Sequence, residues 1–569
     1  PAGMSAQAPR VRWGERSPRP PVRWTGLVGA GLHARVARIA RSLADRDYWR
    51  RQTHRVQAAQ LRGLLNKARD TEIGRECGFA GVAAIGDDRE MLAAYRAAVP
   101  VRDWYGFQSR IARMREGGEP DVLWPGLVRD FAQTSGTTAG DKFIPVSAEM
   151  LRSNYLASLR IFGHLVNRGV SLPRVMGGRC LFLGGSSDVH ANEHGVRTGD
   201  LSGLVTPLIR WPLSEIYSPG PKIALMDHWP SKIEAMADLT LDQDIRFISG
   251  MPSWATVLMA RVLEKAREQG RRSPSGGEIR CVRDVWPHLE VFVHGGVKYT
   301  PFVPRVNELV SGDPLVDFPE RLELYPASEG FVAIQDEREP DPAAQARLRL
   351  NPDIGIFYEF VPLERIDDPA PEAFGAAEVE PGVRYVVVLS TCAGLWRYVL
   401  GDVVVFDEVP DRPDGRRGTG PARLRIVGRH RHFINAFGEN IIVEHVENAV
   451  ARAAAEAGVE VGEFTAAPVY PGNGAPAGLE LAVEVLSGRD RLPAFRDAFD
   501  AALKAQNVDY TTKRGSDMGM APPTITPLPP GAFHRWLDAR GKLGGQHKCP
   551  RCANHREIIE SVVTVGSGS

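Results

Sequence analysis

What most constrains this chain is an alternation. Short apolar runs at 179–183, 245–249, 289–293 and 385–389 are rich in β-branched or aromatic residues and end near Gly, Ser or Thr, so they read as buried strands. Between them stand helix-length patterns such as 254–268, with Val257, Leu258, Val262 and Leu263 on one face. Strand and helix alternating in this way predict α/β layers. Upstream, apolar residues recur three and four apart over 26–69 (Leu32, Val36, Ile39, Leu43, then Leu61, Leu64, Leu65), a helical spacing with arginine on the opposite face.

The Pro/Gly/Arg-rich stretch 411–421 breaks the pattern and reads as a loop or an insert flanking a hinge. Beyond it the residues predict a smaller unit: a strand over 424–427, a helix over 443–457, a strand over 479–486, a helix over 492–504 and a Pro-rich run near 522–530. A boundary falls close to Gly428. The expected organisation is a disordered arm over 1–25, a large layered α/β domain over 26–427, a small α+β domain over 428–563 and a flexible tail over 564–569. At roughly 150 residues per domain three or four equal units would also fit the length, but one large and one small unit explain the pattern better.

Composition narrows the function classes. The net charge is +1, with Lys+Arg 70 against Asp+Glu 69, so no global field attracts nucleic acid or an anionic membrane. No run approaches the roughly 18 apolar residues of a membrane helix, and the Pro/Arg-rich start lacks the apolar core of a signal peptide. Six cysteines, mostly isolated, form no disulfide framework. A cytoplasmic protein is expected, without nucleic-acid or membrane partners; oligomeric state is not legible, with a monomer the default.

Three segments carry candidate chemistry. In 131–145, Phe-Ala-Gln-Thr-Ser-Gly-Thr-Thr-Ala-Gly-Asp-Lys-Phe-Ile-Pro, a strand-like entry leads into glycines and hydroxyls and then Lys142. Gly136 and Gly140 let backbone N–H groups approach an anion, Thr134, Ser135, Thr137 and Thr138 add hydroxyl donors, and Lys142 adds a positive charge. Such a loop suits a triphosphate, although the Walker A order is missing and an ordinary Ser/Thr/Gly turn is the bland alternative. In 324–330, Leu-Tyr-Pro-Ala-Ser-Glu-Gly, an aromatic fit to stack on a purine stands near Glu329, a carboxylate fit for Mg²⁺. In 396–402, Trp-Arg-Tyr-Val-Leu-Gly-Asp, Asp402 is placed to accept ribose hydroxyls. Singly, the last two read equally as a solvated loop and a turn aspartate.

Together and in this order the three segments resemble the adenylate-forming superfamily, and within it the auxin-responsive Gretchen Hagen family of acyl-acid amido synthetases, in its bacterial form. The resemblance covers roughly 61–561. It implies an adenylate-forming ligase architecture, with a large α/β N-terminal domain and a small mobile C-terminal domain. It implies ATP and Mg²⁺ as cofactors, and a small carboxylic acid and an amine, such as an amino acid, as substrates. The matching ATP/AMP-binding positions are Thr134, Ser135, Gly136, Thr137, Thr138, Lys142, Gly295 and Gly296 (in His-Gly-Gly-Val, 294–297), Tyr325, Ala327, Ser328, Asp402 and Arg429. The catalytic positions are Lys548, Thr138 and Glu329, with Glu329 also the Mg²⁺ ligand. Segment 428–442 resembles the family's hinge, and 541–551 the stretch that brings a lysine to the acyl carboxylate or α-phosphate. The phosphate loop ends Ala-Gly-Asp-Lys rather than Gly-x-Pro-Lys, which favours an amide over a thioester product. An acyl-CoA or carrier-thiol ligase and a non-catalytic nucleotide-binding protein stand as alternatives.

Two further readings belong here. Cys549, Cys552, His547 and His555 are all possible zinc ligands, but a single Cys-x-x-Cys is a weak signal and no zinc is expected. Only ten of the 70 basic residues are lysine, and three of them, Lys142, Lys542 and Lys548, fall in the phosphate loop and in 541–551. Trp211, Trp229, Trp254 and Phe302 are candidates for an aromatic-acid pocket or, equally, for core.

Overall fold

The computed structural model describes residues 23–566 apart from 135–141, 185–188, 207, 208, 210, 227, 343, 431, 432, 435–438, 440, 471–476, 515–518 and 541–548. The helical spacing at the start becomes two helices, Gly26–Ala44 and Arg46–Ala68. Asp45 separates them, its carboxylate accepting from the Tyr48 N–H at 2.8 Å as an N-cap.

A twelve-stranded mixed sheet is the spine of the described residues. From one edge its order is Phe374–Gly375, Ile356–Pro362, Arg384–Thr391, Tyr398–Glu408, Arg423–Arg429, Leu348–Leu350, Gly330–Ile334, Glu320–Ala327, Val291–Gly295, Ile245–Gly250, Arg179–Phe182 and Tyr217–Ser218. The last five are mutually parallel and the others antiparallel. Helices Pro252–Glu268 and Val303–Ser311 make the crossovers that parallel neighbours require. The four runs read as strands and the helix over 254–268 are all present, within a few residues of the predicted bounds.

The C-terminal part is a three-stranded sheet in the order Glu460–Val469, Gly478–Ser487, Thr524–Leu528, with helices Val443–Ala457 and Leu492–Gln506 packed on each other. Two elements differ from the sequence reading. The strand over 424–427, grouped by its pattern with the elements that follow it although the boundary at 428 leaves it in the large domain, is Arg423–Arg429, and it pairs with Tyr398–Glu408 inside the large sheet. Stretch 411–421 is accordingly the loop joining two antiparallel strands of that sheet, and an Arg50–Asp411 ion pair at 2.5 Å ties it to the second helix. The Pro-rich run hides strand Thr524–Leu528, whose Pro527 is tolerated because the strand is an edge.

One apolar core fills the antiparallel half of the large sheet against the N-terminal helices. A second runs from the parallel half (Phe292, Phe302, Phe318) directly into the C-terminal layer (Val446, Leu479, Phe495). The arginine excess also has an explanation. Arg246, Arg321 and Arg423 are each about 2% exposed, and Arg423 forks between Asp336 at 2.7 Å and Glu408 at 2.9 Å, a geometry that lysine cannot supply.

Candidate active site

Parallel strands end on one side, and ligands of open α/β sheets bind at those carboxyl ends. Here that edge carries Phe182, Gly250, His294 to Gly296 and the Tyr325 segment, from four adjacent strands. Gly295 is required there, because a Cβ would lie 2.6 Å from the Leu324 carbonyl oxygen. Gly296 follows at φ +83°, a left-handed turn that leaves backbone rather than side chain at the edge.

Strands Glu320–Ala327 and Gly330–Ile334 form a hairpin in which Ala327 pairs with Gly330, so Ser328 and Glu329 are its two turn residues. Glu329 is 9% exposed, and the Tyr398 hydroxyl donates to its Oε1 at 3.2 Å. Asp402, 7% exposed, is held at both oxygens. The Tyr325 hydroxyl donates to Oδ2 at 2.6 Å, and Arg429 Nε donates to Oδ1 at 2.5 Å. Three strands separate Tyr325 from Asp402 in the sheet order. On a flat sheet their backbones would stand ~19 Å apart, at ~4.8 Å per strand, beyond the reach of a tyrosine. The sheet therefore curls, and the curl joins the 325–329 and 397–402 segments into one site.

The electrostatics follow from this enclosure. Burial, reinforced by the Asp402 charge, pushes the Tyr325 phenol far above its ordinary pKa, so it remains a donor. Burial and the Glu329 charge do the same to Tyr398. Desolvation opposes the charge on Arg429, but Asp402 outweighs it and the guanidinium pKa is raised. Arg397 does not join the site. It sits at φ 49°, with Nε on Glu359 at 2.9 Å and Nη1 on the Arg96 and Val99 carbonyls, where it anchors the strand that carries Asp402.

Among the expected residues, the structure brings Tyr325, Glu329, Asp402 and Arg429 together, with Gly295, Gly296, Ala327 and Ser328 on the same strand ends. Thr134 ends strand Asp130–Thr134 and pairs with half-buried Lys142 at the start of Lys142–Val146, so the two flank segment 135–141. Ser135, Gly136, Thr137, Thr138 and Lys548 lie outside the described residues. Cys549 and Cys552 are buried, and burial pushes both thiols up to about 12.

The aromatic candidates divide. Trp211 is 73% exposed. Trp229 and Trp254 pack at 4.9 Å beneath Lys513 of the C-terminal layer, and Phe302 meets Tyr470 of the same layer at 5.9 Å. Instead, a row of rings leads up to the carboxyl edge: Phe162 of helix Ala148–Asn167, Phe247, Phe182 and Tyr217, with successive centroids 6.2, 5.8 and 5.5 Å apart, and of these Phe182, which ends its strand, is 36% exposed. Sequence reasoning missed this row and the Tyr398 contact. The usable signal was an aromatic at the carboxyl end of a predicted parallel strand, which Phe182 is.

The chain is similar to known proteins over most of its length. Family models match in three successive parts: the GH3 family N-terminal domain at 47–218 and 192–315, the central domain at 351–413 and the C-terminal domain at 444–557. The chain is 24% identical over 573 residues to indole-3-acetic acid-amido synthetase GH3.8 of Oryza sativa subsp. indica, covering 89% of each chain. It is 23% identical to probable indole-3-acetic acid-amido synthetase GH3.1 of Arabidopsis thaliana, covering 92% of each. Among solved structures it shares the fold of the AtGH3.15 acyl acid amido synthetase in complex with 2,4-DB, with a TM-score of 0.55 at 16% identity over 96% of this chain and 97% of the other.

Proposed function

The chain belongs to the GH3 family, and from that premise we propose that it is an ATP- and Mg²⁺-dependent ligase that joins a carboxylic acid to an amine, an amino acid, through an acyl-adenylate. The observation that carries the reading is Asp402, fixed at both oxygens by Tyr325 and Arg429 beside Glu329 at the carboxyl edge. A carboxylate anchored in this way still has a lone pair on each oxygen for the two ribose hydroxyls.

In the first half-reaction an acid oxygen attacks the α-phosphorus and pyrophosphate leaves. In the second, the amine nitrogen attacks the acyl carbon, loses its proton and expels AMP. No covalent enzyme intermediate is needed, so the protein supplies proximity and charge stabilisation. We assign Thr134, Ser135, Gly136, Thr137, Thr138 and Lys142 to the phosphates. Gly295, Gly296, Tyr325, Ala327 and Ser328 take the base, and Asp402 with Arg429 the ribose. Lys548 takes the acyl carboxylate or α-phosphate, where a compact flexible cation is apt. Mg²⁺ takes oxygen ligands and keeps several waters, and Glu329, a turn carboxylate with one oxygen oriented by Tyr398, suits it. The ion would neutralise polyphosphate charge. The exposed ring of Phe182, backed by the buried rings of Phe247 and Tyr217, offers an apolar acid a surface. A cytoplasmic setting is part of the reading, supported by six cysteines that are all free and buried.

The test is acid-dependent conversion of ATP to AMP and pyrophosphate across a panel of aryl and indole acids, with amino acids or CoA as acceptor and products read by mass. An amide is expected. Absence of acid-dependent pyrophosphate from folded protein would sink the proposal, and a thioester product would replace it. Lys548→Ala is expected to lower adenylation by at least ~10²-fold.

A further inference from the structure

The strand that carries Tyr398 and Asp402 begins beside a strained residue. Among the described residues only Asp121 and Arg397 combine a side chain with a left-handed backbone, and Arg397 stands at φ +49°. That conformation is costly for a long side chain. It persists only where the surroundings over-determine it, and such residues cluster at functional sites.

The surroundings of Arg397 supply that constraint. Its Nε donates to Glu359 Oε2 at 2.9 Å, and its Nη1 to the Arg96 and Val99 carbonyls at 3.0 and 2.8 Å. Both carbonyls lie at the end of helix Asp88–Ala98, where helices leave acceptors unfilled. The Arg397 N–H donates to Ser390 Oγ at 3.0 Å, and that hydroxyl shares a 2.6 Å hydrogen bond with Tyr95 of the same helix. The Arg397 carbonyl accepts from the Arg102 N–H at 3.0 Å. Arg397 and Glu359 are both buried, so this network is closed to water.

What the network fixes is the aim of two side chains. Tyr398 and Val399 pair with Leu389 and Val388 on one side. On the other side Tyr398 bridges to Arg102, whose carbonyl accepts from the Val399 N–H at 2.8 Å. From Asp402 onward strand Arg423–Arg429 takes over that side. At the changeover, Val399 to Val403 is matched against only Val388 to Val386, so 400–402 bulge, with Gly401 at φ +95°. Bulges re-aim side chains beside active sites. Tyr398 stands just before this one and meets Glu329; Asp402 stands within it and meets Tyr325 and Arg429. A shift at the strand start would misdirect both contacts together.

We propose that Arg397 is a positioning residue of the nucleotide site: without touching ATP or Mg²⁺, it holds the strand start in the conformation that aims Asp402 at the ribose and, through Tyr398, Glu329 at the metal. This role rests on the nucleotide site proposed above.

The test separates aim from stability. α,β-Methylene-ATP, whose α–β bridge cannot be cleaved, is titrated into the full chain at saturating Mg²⁺, and Mg²⁺ is then titrated at saturating analogue. Arg397→Gln removes the guanidinium, while Glu359 keeps Arg96 Nε at 3.0 Å and is not orphaned. The variant should raise the Kd for the analogue at least ~10-fold and the half-saturating Mg²⁺ ~3–10-fold, the scale of one charged hydrogen bond, at full binding amplitude. Tyr325→Phe should move the first constant alone, and Tyr398→Phe the second alone. Glu359→Gln breaks the ion pair from its other end, with Arg96 still on Glu378 at 2.7 Å, and should raise both constants ~3-fold. It decides the matter if Arg397→Gln does not fold. Lower amplitude or melting temperature at unchanged constants, or a shift in one constant only, overturns the proposal. A wild-type chain that binds no analogue overturns the nucleotide reading with it, whereas wild-type binding that both variants leave unmoved overturns the positioning role alone.

Discussion

The Tyr325 hydroxyl donates a 2.6 Å hydrogen bond to Asp402, 77 residues further along the chain and on a strand separated from its own by three others in the sheet. With Arg429 on the other oxygen, the carboxylate is held in one orientation before any nucleotide arrives. Tyr325→Phe removes the donor and leaves the ring in place. A hydrogen bond to a charged acceptor is worth ~1.5–3 kcal/mol, so kcat/KM for ATP should fall ~10-fold or more while the fold persists. Steady-state pyrophosphate release against ATP concentration reads this directly; an unchanged KM and kcat would mean that Arg429 alone fixes Asp402.

Tyr398 bears the same relation to Glu329, at 3.2 Å. Its loss leaves the carboxylate present but free to rotate. Tyr398→Phe should therefore raise the Mg²⁺ concentration needed for half-maximal adenylation, by about 3–10-fold for one hydrogen bond. Glu329→Gln should cost ~10²-fold or more in kcat, because the charge itself is gone. A Mg²⁺ requirement unmoved in both variants would release Glu329 from metal binding.

Much of this was legible from residue order. Apolar patterning found three of the five parallel strands and helices Pro252–Glu268 and Val443–Ala457, since each pattern is dictated by burial on one face or both. The chemistry-bearing segments were legible as glycine, hydroxyl and acid at close spacing. That Asp402 would meet Tyr325 was not, because the contact depends on a curl of the sheet, and curl is set by strand pairing over long separations. The partner of strand 424–427 was not legible for the same reason: its apolar pattern names a strand but not its neighbour, and the Pro/Gly stretch before it, read as a loop or hinge-flanking insert, is a long hairpin connection. Trp229 and Trp254 show the remaining gap. Their size marks them as important, and only the fold reveals that Lys513 covers them.

Lys513, 7% exposed, places its Nζ 4.5 Å from the Trp254 ring centroid and 5.1 Å from that of Trp229, across the boundary between the large sheet and the C-terminal layer. A desolvated cation on two rings contributes ~0.5–2 kcal/mol. Lys513→Met keeps the apolar stem and loses the charge, so the contact between layers should weaken by about that amount. Hydrogen exchange in helices Val508–Arg514 and Trp229–Thr240 should rise together, with little change in helix Arg46–Ala68. Exchange that rises in all three alike would indicate global destabilisation instead.

Glu323 gives the sharpest pH signature. It pairs in register with His294 at the site edge, and burial pushes its carboxyl from 4.5 up to about 7, against the pull of Arg321 and Lys298. The native chain therefore holds this proton more tightly than the unfolded chain does. Stability from the group is fully present below the unfolded value of 4.5 and is lost as pH rises through about 7. Each pH unit between the two values is worth ~1.4 kcal/mol at most, so Glu323→Gln, which cannot ionise, should gain on the wild type by ~1–3 kcal/mol between pH 5 and pH 8. Chemical denaturation at the two pH values measures the difference. A gap that stays constant with pH would show that Glu323 is ionised at no cost, solvated at the strand edge rather than enclosed by it.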